Sequence, residues 1–231
     1  NTKINLIDTP GHVDFSSEVE RVLCVVDAVI LVVSAVEGVQ AHTLSIWDSL
    51  HEMKIPTIIF INKIDRQGAD TERVLTQLEK ELKIKPVILF NALNEGLPNA
   101  SIVAEFNNSV DEIKSEKSIE HLLDGDEQLL EKYLNSESIE THEYLNSLQK
   151  QTIDCKTIPI YSGIAKNNIG VIELLDGIIN YLPNTSTKDS PTLSAYVFKL
   201  EHHKIHGTMA HVKVFSGELC AKSTIYNYTQ E

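Results

Sequence analysis

Three short apolar runs, rich in Val and Ile, restrict the fold of this chain more than any other feature of its sequence. They are AVILVVSAV (28–36), TIIFINKI (57–64) and IPIYSGIA (158–165), and none alternates cleanly with polar residues. Strands that are covered on both faces have this pattern. Helical patterns lie between the runs, so the sequence predicts βαβ units and a mostly parallel sheet, which is an α/β fold.

The helical patterns place apolar residues on one stripe at a spacing of three or four. Six segments have this pattern, and the last of them is stopped by Pro183: 15–27, 41–54, 70–83, 125–136, 139–151 and 170–183. A further apolar segment, KPVILFNAL (85–93), predicts one more strand.

A polar stretch bracketed by prolines, PNTSTKDSP (183–191), separates this pattern from a different one. Beyond it, residues 193–203 and 208–228 alternate as exposed strands do. We therefore predict a first domain over 1–183, a linker over 184–190 and the start of an antiparallel β-barrel domain over 191–231. About 40 residues are too few to close a barrel, so we expect the chain to stop inside that domain.

Charge and composition exclude several classes of protein. The net charge of −13 argues against a nonspecific nucleic-acid binder, although residues 101–150 alone hold twelve acids and four lysines, as solvated helices do. No apolar run approaches the roughly 18 residues that span a bilayer, so no membrane partner is expected. The three cysteines, Cys24, Cys155 and Cys220, are far apart, which favours a reducing, cytoplasmic location.

Three turns come directly after predicted strands. They are DTPGH (8–12), NKID (62–65) and SGIAK (162–166). Ligands of open α/β sheets bind at the carboxyl ends of the strands. We therefore expect the three turns to share one rim of the sheet and to form one site.

The NKID turn has the chemistry to recognise guanine. The Asp65 carboxylate offers two acceptor oxygens, which match the adjacent N1–H and N2–H donors of guanine and not the edge of adenine. The Asn62 amide can bridge neighbouring loops, and the aliphatic stem of Lys63 can lie over the base.

The DTPGH turn has the chemistry to contact a terminal phosphate. Asp8, at the predicted end of a strand, can hold a water bound to magnesium. Gly11 lets the backbone N–H approach the phosphate. His12 is placed to orient a water for in-line attack. The alternative for His12 is a helix cap, and the presence of the other two turns favours the catalytic role.

With these motifs, the chain resembles the translational GTPases, most of all elongation factor G and the tetracycline-resistance ribosomal protection proteins. The resemblance covers nearly the whole sequence and rests on NLIDTPGHVDFSSEVERVL, GVQAHT (38–43), IPTIIFINKIDRQGAD (55–70), AKNNIGVIELLDGI (165–178), and the segments FKLE and VFSGEL of the second domain. GDEQLLEKYL together with AKNNIG favours the protection proteins.

The resemblance implies a P-loop-type GTPase domain with GTP and Mg²⁺ as cofactors. It assigns contacts with the γ-phosphate to Asp8, Thr9, Pro10, Gly11 and His12, with His12 catalytic and Asp8 reaching the metal through water. It assigns contacts with guanine to Asn62, Lys63, Ile64 and Asp65. A third loop, Gly163, Ile164 and Ala165, also contacts GTP, and the Ala165 N–H donates to the guanine oxygen. The family usually has Ser at the position of Ile164. A backbone N–H contact survives that change, whereas a hydroxyl contact to the base does not, so the resemblance implies a somewhat altered affinity for guanine.

One motif of the family is absent from the sequence. No G-x-x-x-x-G-K-[S/T] occurs, and in the family this phosphate loop lies upstream of DTPGH. We therefore interpret the chain as a fragment, without the N-terminal part of the domain, and predict that it does not hydrolyse GTP alone.

Three functions remain open for the parent protein, which we expect to be a monomer. The first is a ribosome-dependent GTPase that releases tetracycline from the ribosome. The second is a translocation GTPase of the elongation factor G type. Both would bind ribosomal RNA and proteins together with GTP or GDP. The third is a nucleotide-incompetent module that binds the ribosome or another partner.

Overall fold

The computed structural model describes residues 2–9, 11, 16–106, 116–184, 192–205 and 207–228. The chain forms two compact units, one of residues 1–2 and 27–184 and the other of residues 3–26 and 185–231. The first unit contains six strands and six helices among the described residues, in the order β1 (Val29–Ser34), α2 (Ala41–Glu52), β2 (Thr57–Asn62), α3 (Thr71–Glu81), β3 (Pro86–Ile88), β4 (Phe90–Leu93), β5 (Ser101–Ala104), α4 (Glu116–Asp124), α5 (Glu127–Leu134), α6 (Thr141–Ile153), β6 (Ile158–Gly163) and α7 (Val171–Tyr181).

The first unit is built on a four-stranded sheet with the order β1-β2-β6-β3, and all its pairings are parallel. The two central strands are buried on both faces: Ile58, Ile59 and Ile61 of β2 are fully buried, and every residue of β6 is buried. The α/β class and the three strands predicted from the apolar runs are thus confirmed, although β1 is an end strand of this sheet and is only partly buried.

Helices α2 and α3 begin and end close to the predicted positions. Trp47 and Leu50 of α2 are buried, as are Val74 and Leu78 of α3. The Trp47 indole N–H donates to the Leu82 carbonyl at 3.0 Å, which satisfies its polar group inside the core. The Asp70 carboxylate accepts from the Arg73 N–H and caps the start of α3.

The apolar segment 85–93 forms two short strands and not the single strand predicted. Strand β3 joins the parallel sheet, whereas β4 pairs antiparallel with β5, a strand that the sequence pattern did not indicate. The division falls at Leu89, whose N–H donates to Ile160 while its carbonyl accepts from Glu105. Because Leu89 is hydrogen-bonded to both groups of strands, the chain changes partners at this residue.

The acidic part of the chain folds as three helices among its described residues. Helices α5 and α6 were predicted, and α4 was not. Their apolar residues Leu122, Leu129 and Leu148 are buried in the same core as Ile58 and Tyr161 of the sheet. Their acids face outward for the most part. The Asp126 carboxylate is an exception, since it caps α5 and accepts from the Ser147 hydroxyl at 2.7 Å.

Helix α7 ends the first unit. It stops at Tyr181, two residues before Pro183, as predicted. No helix among the described residues has both the length and the apolar content needed to cross a membrane.

The second unit contains α1 (Ser16–Leu23) and an antiparallel hairpin of β7 (Ser194–His203) and β8 (Gly207–Ser216). The predicted strand character of 208–228 holds only as far as Ser216. Residues 217–228 form no strand. Tyr226 and Tyr228 are largely exposed, and their rings contact each other edge to face with the centroids 4.8 Å apart. Alternation alone does not make a strand, since a strand also needs a hydrogen-bonded neighbour.

The N-terminal residues correct a second prediction. Asp8 was expected to end a strand, but residues 2–9 contain neither strand nor helix. Leu6 is 85% exposed, and no strand pairing joins this segment to any other described residue. An apolar run of this length is stable as a strand only when it is paired and buried, and neither condition holds here.

Gly163, the last residue of β6, is packed too closely to accept a side chain. A Cβ atom there would lie 2.3 Å from the Ile169 carbonyl oxygen and 2.7 Å from Cζ of Phe60. We expect Gly163→Ala to lower the free energy of unfolding by about 1–3 kcal/mol, because the backbone carbonyl cannot move aside cheaply. Thermal or urea unfolding followed by circular dichroism measures this loss.

The matched control is Gly11→Ala. Nothing lies within 4 Å of a Cβ at Gly11, so the same substitution there should leave the unfolding midpoint unchanged. Equal midpoints for the two variants would show that the loop at Gly163 is looser than the structure indicates.

Candidate functional site

Two of the three predicted turns begin side by side. Asn62 is the last residue of β2 and Gly163 the last of β6, and the two residues are paired in the parallel register of these strands. The NKID and SGIAK turns therefore leave the sheet at the same edge. This follows from the sheet order, because the carboxyl ends of neighbouring parallel strands lie together.

The Asn62 side chain joins the two turns. Its amide oxygen accepts from the Lys63 N–H at 2.8 Å and from the Ala165 N–H at 3.0 Å. The bridging role that the sequence suggested for this amide is thus observed. The Ala165 N–H is also the group that the resemblance assigns to a guanine oxygen, so the base and Asn62 would have to share it.

Ile64 anchors the NKID turn to the core. This residue is fully buried, its N–H points to the Gly163 carbonyl at 3.5 Å, and its carbonyl accepts from the Gly96 N–H at 2.8 Å. Lys63 adopts a left-handed backbone with φ of 67°, which is uncommon for a residue with a side chain. The buried Ile64 thus fixes a turn that carries Lys63 and Asp65 at the rim.

Asp65 is the group of this turn best suited to bind a ligand. Its side chain is half-buried and makes no hydrogen bond or ion pair with any residue that the structure describes. A half-buried carboxylate without a partner loses part of its hydration and gains from a bidentate donor. The N1–H and N2–H groups of guanine would be such a donor, so this residue fits the base that the sequence predicted.

The third loop is closed on itself. Ile164 and Ile169 exchange two backbone hydrogen bonds, and a 3-10 turn at Ala165–Asn167 lies between them. The Ile164 side chain is 3% exposed. The residue that departs from the family pattern is therefore packed into the core.

The phosphate-sensing turn lies partly outside the described residues. Pro10 and His12 are not described, while Asp8 and Gly11 are exposed and Thr9 is half-buried. The described residues of this turn, Asp8, Thr9 and Gly11, belong to the second compact unit. The structure thus brings together the NKID turn and the third loop. The nucleotide contacts of these two turns, like the roles of Asp8, Thr9, Pro10, Gly11 and His12, stay predictions.

No group of three or more His, Cys, Asp or Glu residues that could hold a metal ion occurs in the described part of the chain. The exposed Asp8 therefore belongs to no such group. Its water-mediated contact to Mg²⁺ stays a prediction as well.

Sequence reasoning missed one turn at this edge, residues 34–38, which follows β1. Its Glu37 carboxylate lies 3.6 Å from the Lys63 ammonium. A hydrogen bond with the Ser34 side chain, and next the charge of Lys63, hold the pKa of Glu37 below its ordinary value. The rule that pointed to NKID, a polar turn directly after a strand, applies equally to Glu37.

The turn at 34–38 is anchored by α3. The Arg73 guanidinium donates to the carbonyl of Ala35 at 3.2 Å and to that of Val36 at 2.8 Å. The Ser34 hydroxyl oxygen accepts from the N–H groups of Val36 and Glu37. These bonds fix the backbone that carries Glu37, so the carboxylate can orient the Lys63 side chain at the rim.

Comparison with known proteins agrees with this geometry. The sequence profile of the family described as "Elongation factor Tu GTP binding domain" matches residues 1–184. A crystal structure of a protein from Thermus thermophilus matches the fold with a TM-score of 0.79 at 25% identity, over 91% of this chain and 35% of that one.

Curated relatives are similar over almost the whole chain. Tetracycline resistance protein TetP of Clostridium perfringens is 37% identical over 225 residues, which are 97% of this chain and 34% of TetP. TetM of Ureaplasma urealyticum has the same identity and coverage. Elongation factor G of Aquifex pyrophilus is 35% identical over 273 residues, 99% of this chain and 39% of the factor.

This chain spans about a third of the length of these relatives. The family profile nevertheless covers all of the first unit, including both turns that Asn62 joins. The chain belongs to the elongation factor Tu GTP binding domain family, among translational GTPases of the elongation factor G and TetM type.

Proposed function

We propose that this chain reads the base of a guanine nucleotide through Asp65, as part of a ribosome-dependent GTPase that confers tetracycline resistance. The observation that carries the proposal is the Asn62 amide, which holds the NKID turn and the third loop together. Because the two turns are fixed to each other, the Asp65 carboxylate and the Ala165 N–H can contact one planar base at the same time.

The residues divide the recognition of guanine between them. Asp65 accepts from N1–H and N2–H, and the Ala165 N–H donates to the oxygen O6. Adenine offers neither the paired donors nor that oxygen, so binding it would leave a carboxylate without a partner. The stem of Lys63 covers the base, and Glu37 holds the ammonium of Lys63 at 3.6 Å.

Hydrolysis and the metal involve residues whose roles are proposed from the family motif. In the whole protein, Mg²⁺ would neutralise phosphate charge, and Asp8 would hold one of its waters. His12 would orient the attacking water, with Thr9, Pro10 and Gly11 shaping the turn beside the γ-phosphate. The 231 residues contain no P-loop sequence, so we expect no turnover of GTP by this chain alone.

The choice of tetracycline protection is supported by the relatives. TetP and TetM carry tetracycline resistance in their names and are 37% identical to this chain. Elongation factor G, at 35% identity and 99% coverage, supports translocation as the second candidate. Expression of the full-length gene in tetracycline-sensitive cells distinguishes the two: growth on the drug supports protection, and rescue of a strain depleted of elongation factor G supports translocation.

The substitution Asp65→Asn tests the guanine assignment. An Asn amide presents a donor where guanine also has donors, so GDP affinity should fall about ten- to a hundredfold. Xanthine has an oxygen at that position, so affinity for XDP should rise. Competition between GDP and XDP for a fluorescent guanine nucleotide on the full-length protein measures both changes.

The control for this experiment is Asp48→Asn, which removes one exposed carboxylate from α2. It matches the charge change and should leave both affinities unaltered. If Asp65→Asn behaved like Asp48→Asn, the base would not be read by Asp65 and the proposed function would fail.

Substitution at Ile164 tests whether this departure from the family is structural. Because Ile164 is 3% exposed, Ile164→Ser should lower the free energy of unfolding by about 2–5 kcal/mol, and Ile164→Val by only about 0.5–1.5 kcal/mol. Urea unfolding of both variants measures the costs. The folded Ile164→Ser protein should bind nucleotide with the same affinity as the unsubstituted protein. A tighter affinity would instead mean that a Ser hydroxyl at this position contacts the base.

A further inference from the structure

A cavity in the first unit shares no residue with the NKID turn and lies apart from the loop at Ala165. Its volume is about 210 Å³, and residues of β4, β5, β6, α6 and α7 line it. Pockets for drug-sized ligands measure roughly 300–1,000 Å³. This cavity therefore suits a group no larger than an amino-acid side chain.

The walls of the cavity are aromatic. The rings of Phe90 and Tyr161 stack with their centroids 5.6 Å apart and their planes at 23°, and Phe106 and Tyr181 also line the space. The faces of aromatic rings carry partial negative charge and attract cations. Such walls accept an apolar stem and favour a positive head group.

Two buried phenol groups line the same space. Tyr161 is 2% exposed and Tyr181 is 7% exposed, and neither hydroxyl has a hydrogen-bond partner among the residues that the structure describes. Neither oxygen is among the fully buried polar atoms without a partner, so both can be reached from the cavity. Burial raises the pKa of Tyr181 to about 12. Burial, together with Tyr181 and the charge of Asp176, raises the pKa of Tyr161 as well, so both oxygens are neutral acceptors at pH 7.

The mouth of the cavity is acidic. Glu173, Asp176 and Asn180 lie on α7 at spacings of three and four, so they follow one another along one side of the helix. Neither carboxylate has an ion pair with another described residue, and no Lys or Arg lines the cavity. Two carboxylates without an ion pair thus line the same cavity as the two phenol groups.

Gly177 of α7 leaves room for the hydroxyl group of Tyr161. A Cβ at this position would lie 2.1 Å from the Tyr161 hydroxyl oxygen. Only the absence of a side chain lets that hydroxyl reach the helix beside Asp176. The arrangement of acceptors at the cavity therefore depends on this glycine.

We propose that this cavity binds an alkylammonium or guanidinium group. The N–H donors of the cation point to the carboxylates of Glu173 and Asp176 and to the phenol oxygens. Its apolar stem packs against Phe90 and Leu145. The carboxylates and the phenol oxygens then have N–H donors from which to accept, and the net charge of the two carboxylates and the ligand falls from −2 to −1.

The test compares butylguanidinium with butylurea, which has a similar shape and no charge. Both are titrated into the ¹⁵N-labelled chain, and amide chemical shifts of Tyr161, Asp176 and Tyr181 are followed. We expect saturable shifts with butylguanidinium, with a Kd in the millimolar range, and none with butylurea. Equal shifts with both compounds, or no saturation with either, would overturn the proposal.

Two variants locate the binding. Asp176→Asn should weaken butylguanidinium binding about tenfold, because it removes one charged acceptor. The control Asp48→Asn, an exposed acid on α2, should leave it unchanged. Unaltered binding by Asp176→Asn, in a protein with a normal circular dichroism spectrum, would place the cation elsewhere and sink the assignment.

Further titrations distinguish the two natural sources of such a cation. Tighter binding of spermidine than of N-acetyl-arginine methylamide supports a free polyamine as the ligand. The reverse order supports an Arg or Lys side chain of a partner protein. Failure of both compounds to bind would contradict the proposal.

Discussion

The parallel pairing of β2 with β6 is the interaction on which the rest of the first unit depends. Both strands are buried, and α6 and α7 pack against β6. Their register pairs Asn62 with Gly163. The core and the candidate site are therefore set by the same backbone hydrogen bonds, and the Asn62 amide extends that pairing past the ends of the strands.

Apolar runs predicted the buried strands well, because a strand that is buried on both faces appears in the sequence as a continuous run of apolar residues. The identity of the neighbouring strand with which it pairs leaves no such pattern. The single run at 85–93 divides at Leu89, and the β4–β5 hairpin depends on a partner strand further along the chain that has no clear pattern. Residues 2–9 and 217–228 fail as strands for the same reason, since their apolar residues have no paired neighbour among the described residues.

The candidate site was predictable where a polar turn follows a buried strand. Asn62 and Asp65 were identified in this way, and the bond from Ala165 to Asn62 accounts for the proximity of two distant turns. Glu37 was missed because no role was assigned to the turn after the first apolar run, although that turn follows a strand as well. The burial of Ile164 could not be foreseen, because the direction of one side chain in a loop depends on how the loop closes.

The bond between Asn62 and Ala165 also has a kinetic consequence. It closes a loop of about a hundred residues, and the entropy of closing a chain segment must be lost before such a contact contributes stability. Folding slows as contacts become more distant in sequence. The two turns that Asn62 joins should thus meet late in folding, after the acidic helices between them have formed. In a newly made chain, this edge of the sheet would be among the last parts to take its final shape.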